Sequence, residues 1–487
     1  MNRRNFLKSM GAASLAATVS GFTCVSGKKA YAAASKKTNV ILILVDDFGW
    51  ADIGCYCQEF GNDYYESPNI DRLRSEGMKF TDAYASCCVC SPTRASVMTG
   101  RYPTRSGITN WIGSSNPSNR EYICPTNTSK LPLGDVTIPE ILGPAGYATC
   151  HVGKWHLGDS GYLPENQGFD ENIGGCHWGH PKKGYFSPYQ FPSNANLPDG
   201  PNGQYLTDRE GQESVDFIQS AHDANKPFFL YMSHYTVHRP TQAKQSDIDY
   251  FAAKAKPSNS RYKSLKPAYA AMIKSLDEAV GGILDKLDSL GIADDTAIIF
   301  TSDNGGLLPD TVNYPLKGGK AEHWEGGIRV PLLVKWPGIV APNSLSAEPT
   351  ISVDLLPTIC EMANIRVPNG VTIDGQSIVS VLKQKGSLKR DSLFWHYPHY
   401  NHDLPATTIR SKEWKLIKRY GGNKEFELFN LKNDISETTD LAAQFPGKVK
   451  ELNEKLLAWL RHTNAKMPVK NPNHPGNADE KKKIQLG

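Results

Sequence analysis

Beyond its N-terminal segment the sequence has no unbroken apolar run of the roughly 20 residues that a membrane helix needs. It lacks an internal repeat, which excludes a stacked-repeat or propeller architecture, and it lacks an excess of either charge. Fifty-four Lys and Arg against 50 Asp and Glu leave a formal net charge of +4, and the basic residues are scattered except at Lys481-Lys482-Lys483. That run reads as a solvated tail, and nothing argues for a nucleic-acid partner. What remains is 487 residues of ordinary apolar and charged content, enough for one large α/β domain and a smaller one.

Asn2-Arg3-Arg4-Asn5-Phe6-Leu7-Lys8 is followed by a weakly apolar stretch over 10–22 and by Ala30-Tyr31-Ala32. That is the order of charged region, apolar region and small-x-small cleavage site in a signal peptide. The Arg pair before Phe6-Leu7-Lys8 looks like a twin-arginine signal, whose receptor handles folded cargo. Residues 1–32 are therefore expected to engage the twin-arginine export machinery, leaving a mature chain that starts near Ala33 and is periplasmic or otherwise exported. Cys24 would suggest a lipoprotein anchor, but Gly21-Phe22-Thr23 before it fit that poorly. Ten cysteines in an exported chain invite disulfides, yet the crowding at Cys55/Cys57 and Cys87/Cys88/Cys90 leaves any pairing open.

The run from Asn39 to Val45 is short, continuous, apolar and rich in β-branched residues, as suits a strand buried on both faces of a mainly parallel sheet. It ends in Asp46-Asp47. Similar runs lie at 228–232 and 297–300, the latter followed by Thr301-Ser302-Asp303-Asn304. Between them 205–222 and 267–290 read as helices, the second with Ile273, Leu276, Val280, Leu284 and Leu287 at helical spacing. The alternation predicts an α/β domain over 38–373, with a central mixed, mainly parallel sheet flanked by helices. Polar residues at the carboxyl ends of such strands line the ligand crevice, which puts Asp46, Asp47, Asp303 and Asn304 along one edge. From about Asp374 the pattern shortens to alternating runs at 392–396, 406–410, 414–420 and 427–431, a small antiparallel sheet. A closing amphipathic helix over 447–462 has Val449, Leu452, Leu456, Leu457 and Leu460 on one face. These predict a C-terminal subdomain over 374–466 and an extended or disordered tail over 467–487.

Cys90-Ser91-Pro92-Thr93-Arg94 carries the most specific signal. Pro92 suits the first turn of a helix, so Cys90 sits beside exposed backbone N–H groups that stabilise negative charge, with Arg94 in reach on the same turn. By itself the stretch reads as a buried structural cysteine beside a helix cap. Asp46, Asp47, Asp303 and Asn304 offer only hard oxygen donors, which suits Ca²⁺ or Mg²⁺ and disfavours Zn²⁺. Asp46-Asp47 without the second pair would read as a strand-end cap.

With its continuation Thr99-Gly100-Arg101-Tyr102-Pro103, the cysteine motif resembles the C-x-P-x-R signature of the type I sulfatases of the alkaline phosphatase superfamily. Other blocks match in the expected order: Val45-Asp46-Asp47, Gly153-Lys154-Trp155-His156-Leu157-Gly158, Phe228 to Tyr231 with His238-Arg239-Pro240, Thr301 to Gly305, and Gly318-Gly319-Lys320 with Glu325 to Arg329. The resemblance implies that a separate formylglycine-generating enzyme oxidises Cys90 to formylglycine. A hydroxyl of the hydrated aldehyde then attacks sulfur in line with the leaving alcohol, and the covalent sulfo-enzyme collapses when a base takes the second hydroxyl's proton. It further implies Ca²⁺ held by Asp46, Asp47, Asp303, Asn304 and the matured residue at Cys90. Arg94 and Lys154 would hold the diol, His156 would be the base, Lys320 would bind sulfate oxygens, and His238 would serve the leaving oxygen, with His234 as the fallback. Lys154, His238 and Lys320 would touch substrate. Lys317 is expected to be a solvated loop lysine, Glu325 and Arg329 a structural ion pair, and Trp155 a packing residue. Cys87-Cys88 directly before the motif departs from the family pattern and could compete through disulfide exchange.

The segment 168–180 offers an indole face at Trp178 and imidazoles at His177 and His180, which suit a sugar. Similarity to bacterial carbohydrate sulfatases points to a sulfated saccharide, galactose or N-acetylgalactosamine sulfate favoured, with His177 as a substrate contact. Two other readings stay open. One is a phosphate or phosphonate ester hydrolase of the same superfamily; the other is a silent sulfated-glycan binder in which Cys90 is never converted.

Overall fold

The computed structural model describes residues 37–475. The signal-like N-terminus with Cys24, and Lys481-Lys482-Lys483, lie outside the described residues. The central sheet is built from Asn39–Val45 (β1), Met78–Phe80 (β2), Ala148–Gly153 (β3), Glu171–Ile173 (β4), Phe228–Ser233 (β5), Thr296–Ser302 (β6), Leu332–Lys335 (β7) and Ser344–Ser346 (β8). Their lateral order is β8-β2-β7-β6-β1-β5-β3-β4. β7 runs antiparallel to both its neighbours and the other pairings are parallel. The sheet is mixed and mainly parallel, as the alternating pattern predicts.

β1 is buried along its whole length. Helices Cys90–Thr99 (α1), Leu206–Asp223 (α2) and Pro267–Ser289 (α3) cover the two faces. Ile41, Ile43 and Val45 pack into the layer shared with α2 and α3, whereas Val40, Leu42 and Leu44 pack into the layer shared with α1 and the helix Leu355–Met362. A fully buried Val, Leu or Ile side chain stabilises by roughly 1.5–3 kcal/mol. Both faces of β1 collect that gain, so its sequence is continuously apolar and not alternating. Because β1 lies between β5 and β6, with β3 beyond β5, the loops leaving all four strands emerge at one edge of the sheet.

The second sheet is an antiparallel meander of Ser392–Tyr397 (β9), Ala406–Ser411 (β10), Trp414–Arg419 (β11) and Phe426–Asn430 (β12). Helix Pro446–His462 (α4) lays Leu452, Leu456 and Leu460 on it. Trp459, which the leucine periodicity does not mark, joins that face and stacks on Phe394 with ring centres 4.9 Å apart. The two sheets are tied by Lys415, buried between Glu325 at 2.9 Å and Glu437 at 2.8 Å. Glu325 also meets Arg329 at 3.2 Å, the expected ion pair. Trp155 is buried and packs, as expected. Lys317 departs from expectation. Its amine stands 4.3 Å from the Trp324 ring centre and donates to Glu437 O at 3.3 Å, so it is half-buried against the second sheet and not simply solvated. Within the expected tail, Val469–Lys470 pairs antiparallel with Tyr122–Ile123. The nine described cysteines are free thiols. No helix among the described residues is long and apolar enough to cross a membrane.

Candidate active site

The strand-end loops converge where the topology requires. Asp46 N donates to Thr236 O at 3.0 Å and Val237 N to Asp46 O at 2.9 Å, which clamps the end of β1 to the loop after β5. Asp47 adopts φ +60°, a left-handed conformation that aspartate tolerates better than most side chains. Its N–H donates to Asp303 Oδ1 at 3.1 Å, and Asn304 Nδ2 donates to Asp47 Oδ1 at 2.9 Å. Asp46, Asp47 and Asp303 thereby bring carboxylate oxygens within 4.8 Å of one another, all buried. Asp46 Oδ1 and Asn304 Oδ1 are buried without a hydrogen-bond partner. Buried oxygens left unpaired are costly, and a cation satisfies them without a donor hydrogen.

Three cations balance the three carboxylates. Arg94, fully buried on α1, directs Nε to Asp303 Oδ2 at 2.8 Å and Nη1 to Lys154 O at 2.9 Å and Ser233 Oγ at 2.5 Å. Lys154 Nζ lies 2.6 Å from Asp46 Oδ2, and Lys320 Nζ lies 2.7 Å from the Asp47 carboxylate. Burial would raise the Asp47 carboxyl, but Lys320 and His238 outweigh it and hold it low. Burial, only partly offset by Arg94, pushes Asp303 up to about 6. That carboxylate would gain from further positive charge beside it.

Above this floor opens a cleft of about 620 Å³ whose lining includes Cys90, His156, His177, His238 and Lys320. Cys90 is the first residue of α1 and its Sγ lies 3.5 Å from His156 Nδ1. The other ring nitrogen, Nε2, is 2.9 Å from Ile112 O. A carbonyl only accepts, so Nε2 carries the proton and Nδ1 presents its lone pair to residue 90. Burial and then Lys154 hold the ring well below its ordinary pKa, and therefore neutral. Burial likewise pushes the Cys90 thiol up, against Lys154 and Lys320. His238 is arranged in the reverse sense: its Nδ1 is 2.8 Å from Arg239 O, which leaves Nε2 facing Asp47 Oδ2 at 3.6 Å.

The structure thus gathers every sequence-predicted residue except the fallback. His234 is fully buried, pairs with Glu210 at 2.8 Å and does not line the cleft, so it is unsuited to meet a leaving group. Lys154, expected to touch substrate, lies beneath the floor against Asp46. His177 stands at the rim, 3.4 Å from Asp159. Sequence reasoning missed Ser91. Its hydroxyl donates to His156 O at 3.1 Å and accepts from Ile112 N at 3.0 Å, tying the His156 backbone and Ile112, whose carbonyl meets the ring, to α1. It also missed Trp111, Lys182 and the distant Asn401 and His402, which line the cleft.

A mainly parallel sheet that presents a cysteine at a helix start, a neutral histidine and an all-oxygen carboxylate cluster at one edge defines the alkaline-phosphatase-like sulfatase fold. The family described as Sulfatase matches residues 38–365, and that described as N-sulphoglucosamine sulphohydrolase, C-terminal, matches residues 320–466. The chain belongs to the type I sulfatase family and is a sulfatase, a sulfuric ester hydrolase. It is 34% identical to a sulfatase of Formosa agariphila, over 89% of this chain and 90% of that protein. It is 32% identical to the N-acetylgalactosamine-6-sulfatase of Mus musculus, over 75% of this chain and 70% of that one. Among solved structures it is similar to Ps i-CgsB in complex with k-i-k-neocarrahexaose, with TM-score 0.73, 30% identity, and coverage of 87% of this chain and 92% of that one.

Proposed function

We propose that this sulfatase removes sulfate from a sulfated carbohydrate, galactose or N-acetylgalactosamine sulfate favoured, using a formylglycine made from Cys90 and a bound Ca²⁺. One observation carries the reading. Four oxygen-donor side chains, two of them with buried oxygens that lack partners, lie under a cysteine that faces a histidine locked as acceptor. Asp46, Asp47, Asp303 and Asn304, with residue 90, would hold the cation, and their oxygen chemistry fits calcium. When bound, Ca²⁺ would supply charge stabilisation for sulfate oxygens, and formylglycine would supply a hydroxyl nucleophile.

The chain's own residues divide the remaining work. Arg94 fixes Asp303 and the Lys154 backbone, so the floor is oriented before substrate arrives. His156 Nδ1 is the proton acceptor for the side chain at position 90, with its tautomer held by Ile112 O. Lys320, between Asp47 and the cleft, offers its ammonium to sulfate oxygens. His238 turns Nε2 toward the place of the leaving oxygen, its Nδ1–H held by Arg239 O; burial and then Lys320 hold its pKa down to about 3, so it is a neutral hydrogen-bonding group there. Three carboxylates balanced by three cations leave the floor itself close to neutral.

The carbohydrate assignment rests on the similarity to the N-acetylgalactosamine-6-sulfatase and to the oligosaccharide-bound structure, and on the indole of Trp111 in the cleft; Trp178 also lines it, but contrary to the sequence expectation its ring is buried and stacked on Phe191 at 5.0 Å. Export by a twin-arginine signal at residues 1–32, conversion of Cys90 before folding by a maturation enzyme, and the division into 38–373 and 374–466 belong to the same proposal. The experiment is free sulfate released by co-matured protein from sulfated galactose, N-acetylgalactosamine, glucosamine and fucose saccharides, with Cys90→Ala as blank. Release from a galactose-type sugar supports the reading. Silence across the panel, with formylglycine verified by mass, sinks it and turns attention to phosphate esters.

A further inference from the structure

The wall of the cleft is one-sided in charge. Among the described residues that line it there is no aspartate or glutamate, whereas Lys182, Arg239 and Lys320 are present; the nearby Asp159 lies outside the lining, 3.4 Å from His177. Lys320 is engaged by Asp47 at the floor. Arg239 grips Asp310 through Nε at 2.5 Å and Nη2 at 3.1 Å, but Asp310 is shared with Lys266 at 2.5 Å. One carboxylate between two cations leaves that group with a surplus positive charge at the rim. Lys182 has no carboxylate partner among the described residues, and its amine stands 5.2 Å from the Trp178 ring centre. Uncompensated positive charge around a concave wall focuses its field into the opening. The scissile sulfate already has Lys320 and the floor to meet it, so Lys182 and the surplus charge of the Arg239–Asp310–Lys266 group are left to face something else.

We propose that Lys182 and Arg239 form a rim subsite for a second anionic group, a sulfate or a carboxylate, on an oligosaccharide whose scissile sulfate reaches the floor. The inference rests on the carbohydrate-sulfate reading above and narrows it: the substrate carries at least two negative groups. A neutral sugar extending from a single sulfate would gain nothing from this wall. A second anion would pair with the rim cations while its ring packs beside Trp178, next to His177. Because the rim is solvent-facing, the attraction weakens as salt rises.

The test is titration calorimetry of full-length Cys90→Ala protein in the presence of calcium, with matched oligosaccharides carrying one sulfate, two sulfates, or one sulfate and one carboxylate. At least one dianionic ligand is expected to bind about fivefold tighter than the monosulfated one, the worth of an exposed charge pair. Adding Lys182→Ala is expected to remove that preference, whereas Lys183→Ala, an adjacent exposed lysine outside the cleft, retains it. Which dianionic ligand is preferred assigns the second group. Equal binding of all three, or a preference that survives Lys182→Ala, overturns the rim subsite. That outcome is read from binding and leaves sulfate release by matured wild-type protein untouched; absence of release would instead overturn the carbohydrate-sulfate reading.

Discussion

Ser91→Ala removes one hydroxyl from a closed chain of contacts. Ser91 Oγ bonds His156 O at 3.1 Å and Ile112 N at 3.0 Å, Ile112 O meets His156 Nε2 at 2.9 Å, and His156 Nδ1 faces Cys90 Sγ at 3.5 Å. Each neutral hydrogen bond contributes about 1 kcal/mol net, and each buried group left without a partner costs about 1–3 kcal/mol. Ser91 and His156 are buried, so the change should cost roughly 2–4 kcal/mol. If about half of that appears as misplacement of the His156 ring relative to residue 90, turnover falls roughly five- to thirtyfold, since 1.36 kcal/mol is a factor of ten. KM should move little, because Ser91 does not line the cleft. Position 91 is a free position of C-x-P-x-R, so conversion of Cys90 should proceed. The assay is sulfate release by matured Ser91→Ala protein, normalised to the formylglycine fraction measured by peptide mass. Wild-type turnover at full conversion would refute the strap, and failed conversion would refute the assumption that position 91 is neutral to maturation.

Three other outcomes follow from the same geometry. Lys415→Met strands Glu325 and Glu437 in the interior without their shared cation and should destabilise by about 3–5 kcal/mol, lowering the denaturant midpoint; an unchanged midpoint contradicts the tie between the sheets. In Gly305→Ala a Cβ would stand 1.8 Å from Gly326 O, so the loop that holds Lys320 through Gly306 O must move. Activity should fall by on the order of a hundredfold, and near-normal kcat would show that the close approach is dispensable. Calcium at 100 times its Kd should stabilise the protein by about 2.7 kcal/mol in denaturant titrations. Asp46→Ala should abolish that gain, and a full calcium effect in the variant removes Asp46 from the ligand set.

What the sequence made legible was whatever is written in contiguous residues. The apolar run of β1 and the leucine spacing of α3 declare themselves because burial on two faces, or on one helical stripe, sets a local period. The catalytic blocks were legible for a related reason: each lies at a strand end, a helix start or a tight loop, so its chemistry is held in a few consecutive positions. Facing was not legible. Nothing local says that Lys154 points down to Asp46 and Lys320 borders the cleft, or that of two histidines four apart His234 turns to Glu210 of α2 and His238 to the opening. Asn401 and His402 reach the cleft from the loop after β9, and only tertiary folding brings them beside Cys90. The Ser91 strap was hidden because a small polar residue inside a motif has no periodic signature, and Lys317 was misread because its aromatic partner Trp324 is recognised only by contact.

The measurement that bears most directly on the account is the specific activity of the protein as the converted fraction of residue 90 is varied by graded co-expression of a formylglycine-generating enzyme, with that fraction read by peptide mass. Sulfate release should rise in proportion to formylglycine and vanish with it. Full activity in protein whose residue 90 is entirely cysteine would contradict the account.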